Sequence, residues 1–389
     1  MFPPFRASAI PPKYPVPHQR LTGLIAALMP AHRDKIVLLP PNRVWRSYRG
    51  GQTLDSLAGR TPALDSQFPE DWIASTTRAT NIGREDIREG CSLAVVGGQS
   101  HDFATLLASD PEYFLGPAHA ARFGAAPALL VKLLDPALRL HFQVHPTTDF
   151  ARRFLGASSG KTEAYHILAA RPGVAQPYVY LGFQRPPSRA ALRRMIETQD
   201  IAGIEACFDK IPVQPGDTFV VPGGVPHALG EGNFLVEVQE PSDLVVRFEF
   251  ERGGVVLPEA ARFMGRGLDF CLDVFDFSAW PAERIAAESA CAPKRRRALG
   301  PDSWQDHLVD AHRTPCFRLQ RTRLGGTVQK RENDFHVGIV TTGAVTLTVG
   351  GETHRFARYD KFFVPAGLGP LHYAPEGTAE ILECYPPLP

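Results

Sequence analysis

The chain has 389 residues, of which 44% are hydrophobic and 10% aromatic, and this is enough to build a large buried core divided into two or three domains. Lys plus Arg number 42 and Asp plus Glu number 41, which leaves a formal net charge of +1. A balance so close to neutral excludes a protein-wide field that would gather nucleic acid or an anionic membrane, so that only a local basic site could bind an anion.

The N-terminal segment, residues 1–34, is expected to be an extension to the folded domains. It lacks the charged, apolar and small-residue order of a signal peptide, and its apolar run LTGLIAALM is much shorter than the roughly 20 residues needed to cross a bilayer. The six cysteines are scattered and include no CxxC pair, so we expect reduced thiols. These features predict a cytoplasmic protein with neither a nucleic-acid nor a membrane partner.

Glycine and proline punctuate a series of short apolar runs, which is typical of an all-β protein with many turns. The predicted strands are ALLVKLLD, LHFQVHP, EAYHILAA, YVYLGF, DTFVVPGG, FLVEVQE and DLVVRFEF. We expect them to form one β-barrel from residues 35–185 and 211–257. A helical insertion at 186–210 separates its two parts, where Ser188 can cap a helix.

Residues 258–300 are predicted to form a helical connector that ends in a linker. The four basic residues Lys294 to Arg297 are interpreted as part of that solvated linker, because the overall charge balance argues against a polyanionic partner. Strand character resumes over residues 301–389, with a turn signal at Gly350-Gly351. There DKFFVPAG repeats the outline of DTFVVPGG, which indicates an internal duplication of a β-barrel half.

The segment PGDTFVVPGGVPHALG contains the pattern that carries chemistry. The spacing of Gly216, Pro222, Gly224 and His227 resembles the second motif of the cupin superfamily, in which a histidine projects from a strand into the barrel to bind metal. The fold is therefore predicted to be a bicupin, all-β dominated, with two cupin-type barrels, a small helical insertion and connecting helices.

Further metal ligands should lie upstream of that motif. In RLHFQVHPTTDF, Gln143 and His145 share one strand face, and in GKTEAYHIL, Lys161 and Glu163 do the same. Two imidazoles, a carboxylate and an amide oxygen suit Zn²⁺ and leave a position for water or substrate. Taken singly, each residue has a plainer interpretation, as hydrogen-bonded structure or a surface ion pair; only their joint appearance favours a site.

The order of LLVKLLD, QVHP, GKTEAYHIL and VQPGDTFVVPGGVPHALGEGNFLVEVQEPSDLVVRFEF resembles the type I mannose-6-phosphate isomerases, particularly their short bacterial form, over residues 35 to 275. RVWRSYRGG and PEDWIASTT are similar to the N-terminal segments of that family. The resemblance implies one zinc ion per chain and an aldose–ketose isomerisation of mannose 6-phosphate and fructose 6-phosphate through a cis-enediol. The implied metal ligands are Gln143, His145, Glu163 and His227.

The resemblance also implies roles for residues around the metal. Arg247 would stabilise the developing oxyanion, Glu237 is the candidate proton-transfer base, and Lys161 faces the substrate with them. Lys132 matches a second substrate-facing lysine of the family and is assigned to the phosphate, and His141 stands where the family has a serine. Either a protonated His141 contacts a phosphate, or the substrate is an unphosphorylated or differently substituted sugar.

The C-terminal barrel departs from the motif. Its motif glycine is Tyr359, the histidine position is Pro370, and His372 follows two residues late, so no metal is predicted there. We expect this barrel to pack against the first, in a monomer or a homodimer. His166 and His336 are interpreted as structural.

Two other functions remain open at this stage. One is an isomerase or epimerase of an unphosphorylated or related sugar. The other is a non-catalytic sugar-binding bicupin, against which the complete ligand set argues. An iron cupin oxygenase is disfavoured because the first motif has Gln-x-His in place of His-x-His.

Overall fold

The computed structural model describes residues 32–388, so the run LTGLIAALM and nearly all of the predicted extension lie outside the described residues. In chain order, the strands up to residue 256 are β1 (Val37–Leu38), β2 (Arg43–Val44), β3 (Glu70–Ile73), β4 (Leu93–Val96), β5 (Gln99–Asp102), β6 (Leu130–Leu134), β7 (Gln143–Val144), β8 (Glu163–Ala170), β9 (Tyr178–Leu181), β10 (Ile211–Pro212), β11 (Thr218–Val221), β12 (His227–Leu229), β13 (Asn233–Gln239), β14 (Val246–Arg247), β15 (Glu251–Arg252) and β16 (Val255–Val256). The remaining strands are β17 (Lys294–Gly300), β18 (Ser303–Val309), β19 (Arg318–Leu324), β20 (Val328–Lys330), β21 (His336–Thr342), β22 (Val345–Val349), β23 (Glu352–Phe356), β24 (Lys361–Val364), β25 (Leu371–Pro375) and β26 (Ala379–Tyr385).

Helices are short and lie between the strands. The α-helices are Gln52–Leu57, Phe103–Ser109, Pro111–Leu115, Pro117–Phe123, Thr148–Phe150, Arg189–Thr198, Ile201–Glu205, Leu268–Cys271 and Ala282–Arg284, with π-helical turns at Ala151–Leu155 and Ile285–Ser289 and 3₁₀ turns at Glu259–Ala261 and Leu272–Val274. No helix in the described part of the chain is long and apolar enough to cross a membrane. All six cysteines are free, as predicted.

Two antiparallel sheets form the N-terminal sheet pair. One has the order β11-β8-β13-β6-β3-β2, and the other has the order β10-β9-β12-β7-β14. Alternation along β8 explains how they face each other: Tyr165 and Ile167 point into the cluster between the two sheets, whereas Ala164 and Leu168 point to the opposite side. The predicted strand at EAYHILAA coincides with β8.

The C-terminal sheet pair repeats this arrangement. Its sheets have the orders β17-β18-β19-β26-β21-β24-β1-β4-β5 and β20-β25-β22-β23. Ten strands correspond in chain order and in pairing: β2, β3, β6, β7, β8, β9, β10, β11, β12 and β13 match β17 to β26 in turn. The Gly350-Gly351 turn joins β22 to β23 as predicted, with both glycines at positive φ.

The sheets stack in layers separated by apolar clusters. Sheet faces of the two pairs share the cluster that contains Val131, Val236, Ile339 and Leu382. On the other side of the N-terminal pair, aromatic side chains of the smaller sheet pack against the helices of residues 189–205. The core is therefore continuous across both halves.

The helical insertion lies where it was predicted. The helix Arg189–Thr198 begins after Ser188, whose side chain accepts a hydrogen bond from Ala191 N (3.2 Å). Leu192 and Ile196 are buried on one face, with Met195 packed beside them. This face closes the outer side of the smaller N-terminal sheet.

The structure corrects two predicted boundaries. Residues 294–300 do not form a linker: they are β17, an edge strand whose basic side chains pair with acidic groups of neighbouring strands, as in Arg295 with Asp306 (2.9 Å). The predicted first barrel, residues 35–185 and 211–257, also included strands that belong to the C-terminal half. Strands β1, β4 and β5 join the large C-terminal sheet through the pairing of β1 with β24. The connector at 258–293 contains only short helical turns.

Candidate active site

Polar side chains of the N-terminal sheet pair converge at one end of its interior. His145, Glu163 and His227 are each 1% exposed or less, and one ligand atom from each lies within 4.8 Å of the others. His227 Nε2 is 3.0 Å from Glu163 Oε1, and His145 Nε2 is 3.4 Å from Glu163 Oε2. These separations match the edges of a coordination polyhedron whose ligands are about 2.0–2.2 Å from its centre.

Strand pairing and a glycine turn bring these residues together. Glu163 begins β8, and His227 begins β12 directly opposite Gln143 of β7. Gly224 N donates to His145 O (2.7 Å), which ties the turn before β12 to the end of β7. Gly223 must be glycine for this approach, because a Cβ there would lie 2.8 Å from the carbonyl oxygen of Pro146.

The two imidazoles each use Nδ1 for a backbone carbonyl and keep Nε2 as the possible ligand atom, although Lys161 Nζ lies 3.0 Å from His145 Nε2. His145 Nδ1 is 2.9 Å from the carbonyl of Leu244, and His227 Nδ1 is 2.8 Å from the carbonyl of Val225. A ring whose Nδ1–H donates to a carbonyl is held as the tautomer with a free Nε2 lone pair. Burial, followed by the charge of Lys161, lowers the pKa of His145 to about 3, so this ring is neutral.

The remaining donors fit a divalent cation. Glu163 Oε2 is buried and accepts no hydrogen bond in the described part of the chain, although Lys161 Nζ lies 3.2 Å away. Burial acts to raise the pKa of Glu163, but Lys161 and the two histidines hold it well below its usual range. The amide nitrogen of Gln143 is 3.2 Å from His227 Nε2, and a half-turn of this amide would present its oxygen instead. Two imidazoles, a carboxylate and an amide suit zinc.

A narrow cavity of about 40 Å³ adjoins this cluster. Six of the nine predicted site residues line it: Lys132, His141, Gln143, Lys161, Glu237 and Arg247. The other three form the candidate metal centre behind it. The structure thus gathers all nine predicted residues into one region.

Lys132 and Glu237 form a buried ion pair in this cavity. Lys132 Nζ donates to Glu237 Oε1 (2.7 Å), with Glu70 Oε2 at 3.9 Å, and both members of the pair are almost fully buried. Burial raises the pKa of Glu237 despite the nearby ammonium groups. A carboxylate with a raised pKa in a cavity is a candidate for proton transfer.

Arg247 carries a charge that no carboxylate pairs with in residues 32–388. Its guanidinium donates to the carbonyl of Ala261 (3.0 Å), and burial lowers its pKa to about 10, so it is still cationic at neutral pH. It borders the narrow cavity and also an adjoining groove of about 500 Å³, which is lined in addition by Trp45, Thr77 and Arg78. An anionic or oxygen-rich part of a ligand would meet Arg247 at this junction.

His141 lines the cavity as a neutral ring. It is 3% exposed, its Nε2 has no hydrogen-bond partner in the described structure, and burial lowers its pKa to about 4. At pH 7 it can exchange a hydrogen bond with a ligand but supplies no charge. The hypothesis that a protonated His141 holds a phosphate is therefore not favoured.

Sequence reasoning missed the residues that hold the cavity wall. Arg46 donates to Glu70 (3.0 Å) and to both carboxylate oxygens of Asp243 (2.9 and 3.1 Å), and Tyr48 OH donates to Glu70 (2.6 Å). Burial acts to raise the pKa of Glu70, but Arg46 and Lys132 lower it to about 2. Their signal was present in RVWRSYRGG and PEDWIASTT, but nothing in either segment shows that its polar residues face inward.

The fold and the site together define a β-sheet enzyme with a candidate metal centre. No protein-family model matches the chain. A mannose-6-phosphate isomerase of Streptococcus mutans is 37% identical over 256 residues, covering 65% of this chain and 72% of that protein. The solved mannose 6-phosphate isomerase of Bacillus subtilis has a TM-score of 0.69 at 19% identity, covering 90% of this chain and 99% of that one. A mannose 6-phosphate isomerase bound with zinc and yttrium has a TM-score of 0.63 at 15% identity, covering 91% and 100%.

The chain belongs to the mannose-6-phosphate isomerase family. It is therefore an enzyme of the aldose–ketose isomerase class. This membership excludes the non-catalytic sugar-binding protein that the sequence alone left open.

Proposed function

We propose that this enzyme interconverts mannose 6-phosphate and fructose 6-phosphate through a cis-enediol, with one zinc ion per chain. The observation that carries the proposal is the convergence of His145, Glu163 and His227 beside a cavity that contains the Lys132–Glu237 pair. The names of the relatives and the zinc-bound neighbour support it. We also propose that the two sheet pairs are cupin-type barrels, since they share one strand order.

Gln143, His145, Glu163 and His227 would hold the zinc ion. When bound, such an ion would act as a Lewis acid on the oxygens at C1 and C2 of the sugar. The hydrogen bonds of the two histidines support this assignment, because their Nδ1 atoms are already satisfied by backbone carbonyls, which fixes the orientation of both rings.

Glu237 would move the proton. As a base it would remove the proton from C2 of the aldose and return it to C1 of the enediol, so that no proton is gained or lost over the reaction. Its raised pKa favours the protonated form that the second half of this transfer needs. Lys132, 2.7 Å away, would hold the carboxylate in position.

Arg247 and Lys161 would stabilise negative charge as it develops on the sugar oxygens. Arg247 is suited to this because its charge is not compensated by a carboxylate in the described residues. The narrow cavity would take the reacting end of the sugar, and the adjoining groove has room for the rest of the substrate.

The test combines metal analysis with isomerisation assays of mannose 6-phosphate and mannose. The purified protein should contain one zinc per chain and turn over the phosphorylated sugar, and His227→Ala should lose both the metal and the activity. His166→Ala, which truncates another buried histidine on the face of β8 opposite to Glu163, serves as a control for the general effect of such a core substitution. Wild-type protein that holds zinc but leaves mannose 6-phosphate unchanged would contradict the proposal.

One observation favours a second substrate class. His141 is neutral and buried, and the other cations that line the cavity, Arg46, Lys132 and Lys161, each lie beside a carboxylate, so Arg247 is the lining cation without a carboxylate partner in the described residues. An isomerase or epimerase of an unphosphorylated or related sugar would fit such a cavity. Faster turnover of mannose than of mannose 6-phosphate in the same assay would favour this function.

A further inference from the structure

The C-terminal sheet pair contains a counterpart of the candidate metal centre, and strand register locates it. Both halves have the same turn before corresponding strands, β11 in DTFVVPGG and β24 in DKFFVPAG. In each, an aspartate side chain accepts from the backbone N–H three residues earlier, over 2.9 Å at Asp217 and 2.7 Å at Asp360. The preceding residues, Gly216 and Tyr359, both have positive φ, 96° and 72°. This shared turn aligns the two halves without a gap.

The counterpart of Glu163 is a histidine. Glu163 lies opposite Val221, four residues after the first aspartate, and His336 lies opposite Val364, four residues after the second. The same alignment matches Glu237, the candidate base, with Glu383. Glu237 pairs with Tyr165, two residues after Glu163, and Glu383 pairs with Gly338, two residues after His336.

The counterpart of His227 is apolar. Ile211 and His354 each precede the aligned aspartate by six residues. Ile211 pairs with Val179 of β9, which pairs with Leu229 of β12. In the same way His354 pairs with Leu347 of β22, which pairs with Tyr373 of β25, so Leu229 corresponds to Tyr373. His227 is thereby matched with Leu371, which is 3% exposed, and not with Pro370 as the sequence motif suggested.

A lysine takes the position of the glutamine ligand. Gln143 pairs with the histidine of β12, and Lys330 pairs with the leucine that replaces it in β25. Two residues further along the chain, Glu332 takes the position of His145. The four ligand positions are thus filled by an ammonium, a carboxylate, an imidazole and an isobutyl group.

Lys330 is the centre of a buried polar cluster. Its ammonium contacts Glu383 and lies 3.5 Å from Glu332, and its side chain is 1% exposed. The second oxygen of Glu383 accepts from Gln305 (2.6 Å) and from Tyr385 (2.9 Å). Burial acts to raise the pKa of Glu383, but the charge of Lys330 lowers it to about 2, so the pair is ionised.

His336 faces this cluster without a partner. Its ring lies 4.9 Å from that of Tyr385, it is 1% exposed, and neither ring nitrogen has a hydrogen-bond partner in the described residues. A buried imidazole with two unsatisfied nitrogens is costly, and its ring contact with Tyr385 does not satisfy either nitrogen.

We propose that the ammonium group of Lys330 occupies, in the C-terminal sheet pair, the place that a divalent cation occupies in the N-terminal pair. The inference rests on the metal centre of the proposed function. A tethered cation offsets the carboxylate of Glu383, and together with Arg296 and Arg297 that of Glu332, without any ion from solution. The C-terminal interior is thus a former metal site that the chain has closed with its own side chain.

The proposal predicts that two substitutions create a metal-binding site in the C-terminal sheet pair. In a Lys330→Gln/Leu371→His variant, the interior would present an amide, a carboxylate and two imidazoles, which is the donor set of the N-terminal centre. Metal-free wild-type protein, this double variant and each single variant are titrated with Co²⁺, and bound metal is counted by elemental analysis and visible absorption. We expect one ion per wild-type chain, one per chain in each single variant and two in the double variant.

The outcomes separate this inference from the proposed function. A double variant that binds no more Co²⁺ than wild type overturns the inference. If wild type binds no Co²⁺ and the double variant binds one ion per chain, the result contradicts the proposed N-terminal metal centre and supports the C-terminal site.

If the double variant is not recovered folded, thermal unfolding decides. Lys330→Met should lower Tm by roughly 10 °C, because it leaves the buried carboxylate of Glu383 without its cation, and adding Glu383→Gln should restore at least half of the loss. Lys330→Met with an unchanged Tm would overturn the inference.

Discussion

Glu237 is distinguished from the other cavity carboxylates by its surroundings. Glu70 accepts hydrogen bonds from Arg46, Tyr48 and Trp72, and these donors keep it ionised and occupied. Glu237 faces the same cavity with a raised pKa and a lysine as its partner. The second arrangement leaves a carboxylate with a raised pKa, which is better suited to accept and release a proton.

We expect Glu237→Gln to lower kcat by about 10²–10⁴-fold, the usual contribution of a positioned general base. The amide has nearly the same shape, so metal content should change little, whereas Tm should fall because the buried Lys132 loses its carboxylate partner. The measurement is isomerisation together with deuterium incorporation from solvent, and Glu70→Gln is the matched control, whose main effect should be on stability. Solvent exchange at the wild-type rate in Glu237→Gln would show that another group moves the proton.

Single residues of the site could be predicted from sequence where a motif and a strand period agree. The spacing before His227 and the alternation at Gln143 and His145 met both conditions. Arg46 and Asp243 met neither, because their partnership joins segments almost 200 residues apart, and no local pattern reports such a contact. The same limit explains why the sequence motif pointed to Pro370. The C-terminal half has one more residue between Asp360 and Leu371 than lies between Asp217 and His227, and only the strand pairing shows that Leu371 matches His227.

At the scale of elements, the turn before β11 depends on one glycine. Gly216 has φ of 96°, donates from its N–H to the carbonyl of Ile167 (2.8 Å), and has no atom within 4 Å of the place where a Cβ would stand. The cost of a side chain there is therefore conformational and not steric.

Gly216→Ala should accordingly lower the free energy of unfolding by about 1–2 kcal/mol, without changing metal content. The measurement is urea denaturation monitored by fluorescence. Tyr359→Gly at the matching turn is the comparison: it relieves the positive φ of 72° but removes a ring contact with Phe234. A loss far above this range would mean that the turn also positions the metal ligands.

Strands were predicted well where apolar residues alternate with polar ones, and poorly where the segment consists mainly of charged residues. β8 follows its sequence pattern from end to end. KRRR in β17 has no apolar alternation that would predict a strand, and the segment was interpreted as part of a solvated linker. Its stability comes from neighbours: Lys294 pairs with Asp310 (3.4 Å) and Arg296 with Glu332 (3.3 Å). Such compensation cannot be seen in the sequence, because the acidic partners come from segments further along the chain.

At the scale of the whole molecule, the two sheet pairs are joined by a buried ion pair. Lys361 of β24 contacts Asp71 of β3, and the two side chains are 7% and 5% exposed. Asp71 also accepts from Asn42 N (2.8 Å), which fixes its orientation. Removing one partner of such a pair leaves an uncompensated charge in the interior.

Lys361→Met is therefore expected to cost about 3–5 kcal/mol of stability, and the double variant Lys361→Met/Asp71→Asn should recover much of that loss. Urea denaturation of the two single variants and the double variant gives the coupling energy. A coupling near zero would mean that the halves are held together by their shared apolar cluster alone.

Buried histidines should make the entire fold sensitive to acid. Burial lowers the pKa of both His166 and His336 to about 4, whereas an unfolded chain has histidine pKa values near about 6.5. Between these values the unfolded state binds more protons than the native state, so stability is fully present above pH 6.5 and is lost as the pH falls towards 4. Each histidine contributes a slope of about 1.4 kcal/mol per pH unit in this window, which amounts to roughly 3 kcal/mol for each of the two.

His166→Asn tests this prediction, because the amide can keep the hydrogen bond that His166 Nδ1 shares with Thr218 Oγ1 (2.8 Å) while removing the titration. Urea denaturation at intervals from pH 7 to pH 4.5 should show a shallower loss of stability in the variant, by about 1.4 kcal/mol per pH unit. Any acid-induced loss of metal is common to both proteins and cancels in their difference. Parallel curves for the variant and the wild type would mean that His166 takes up its proton in the native state as readily as in the unfolded chain.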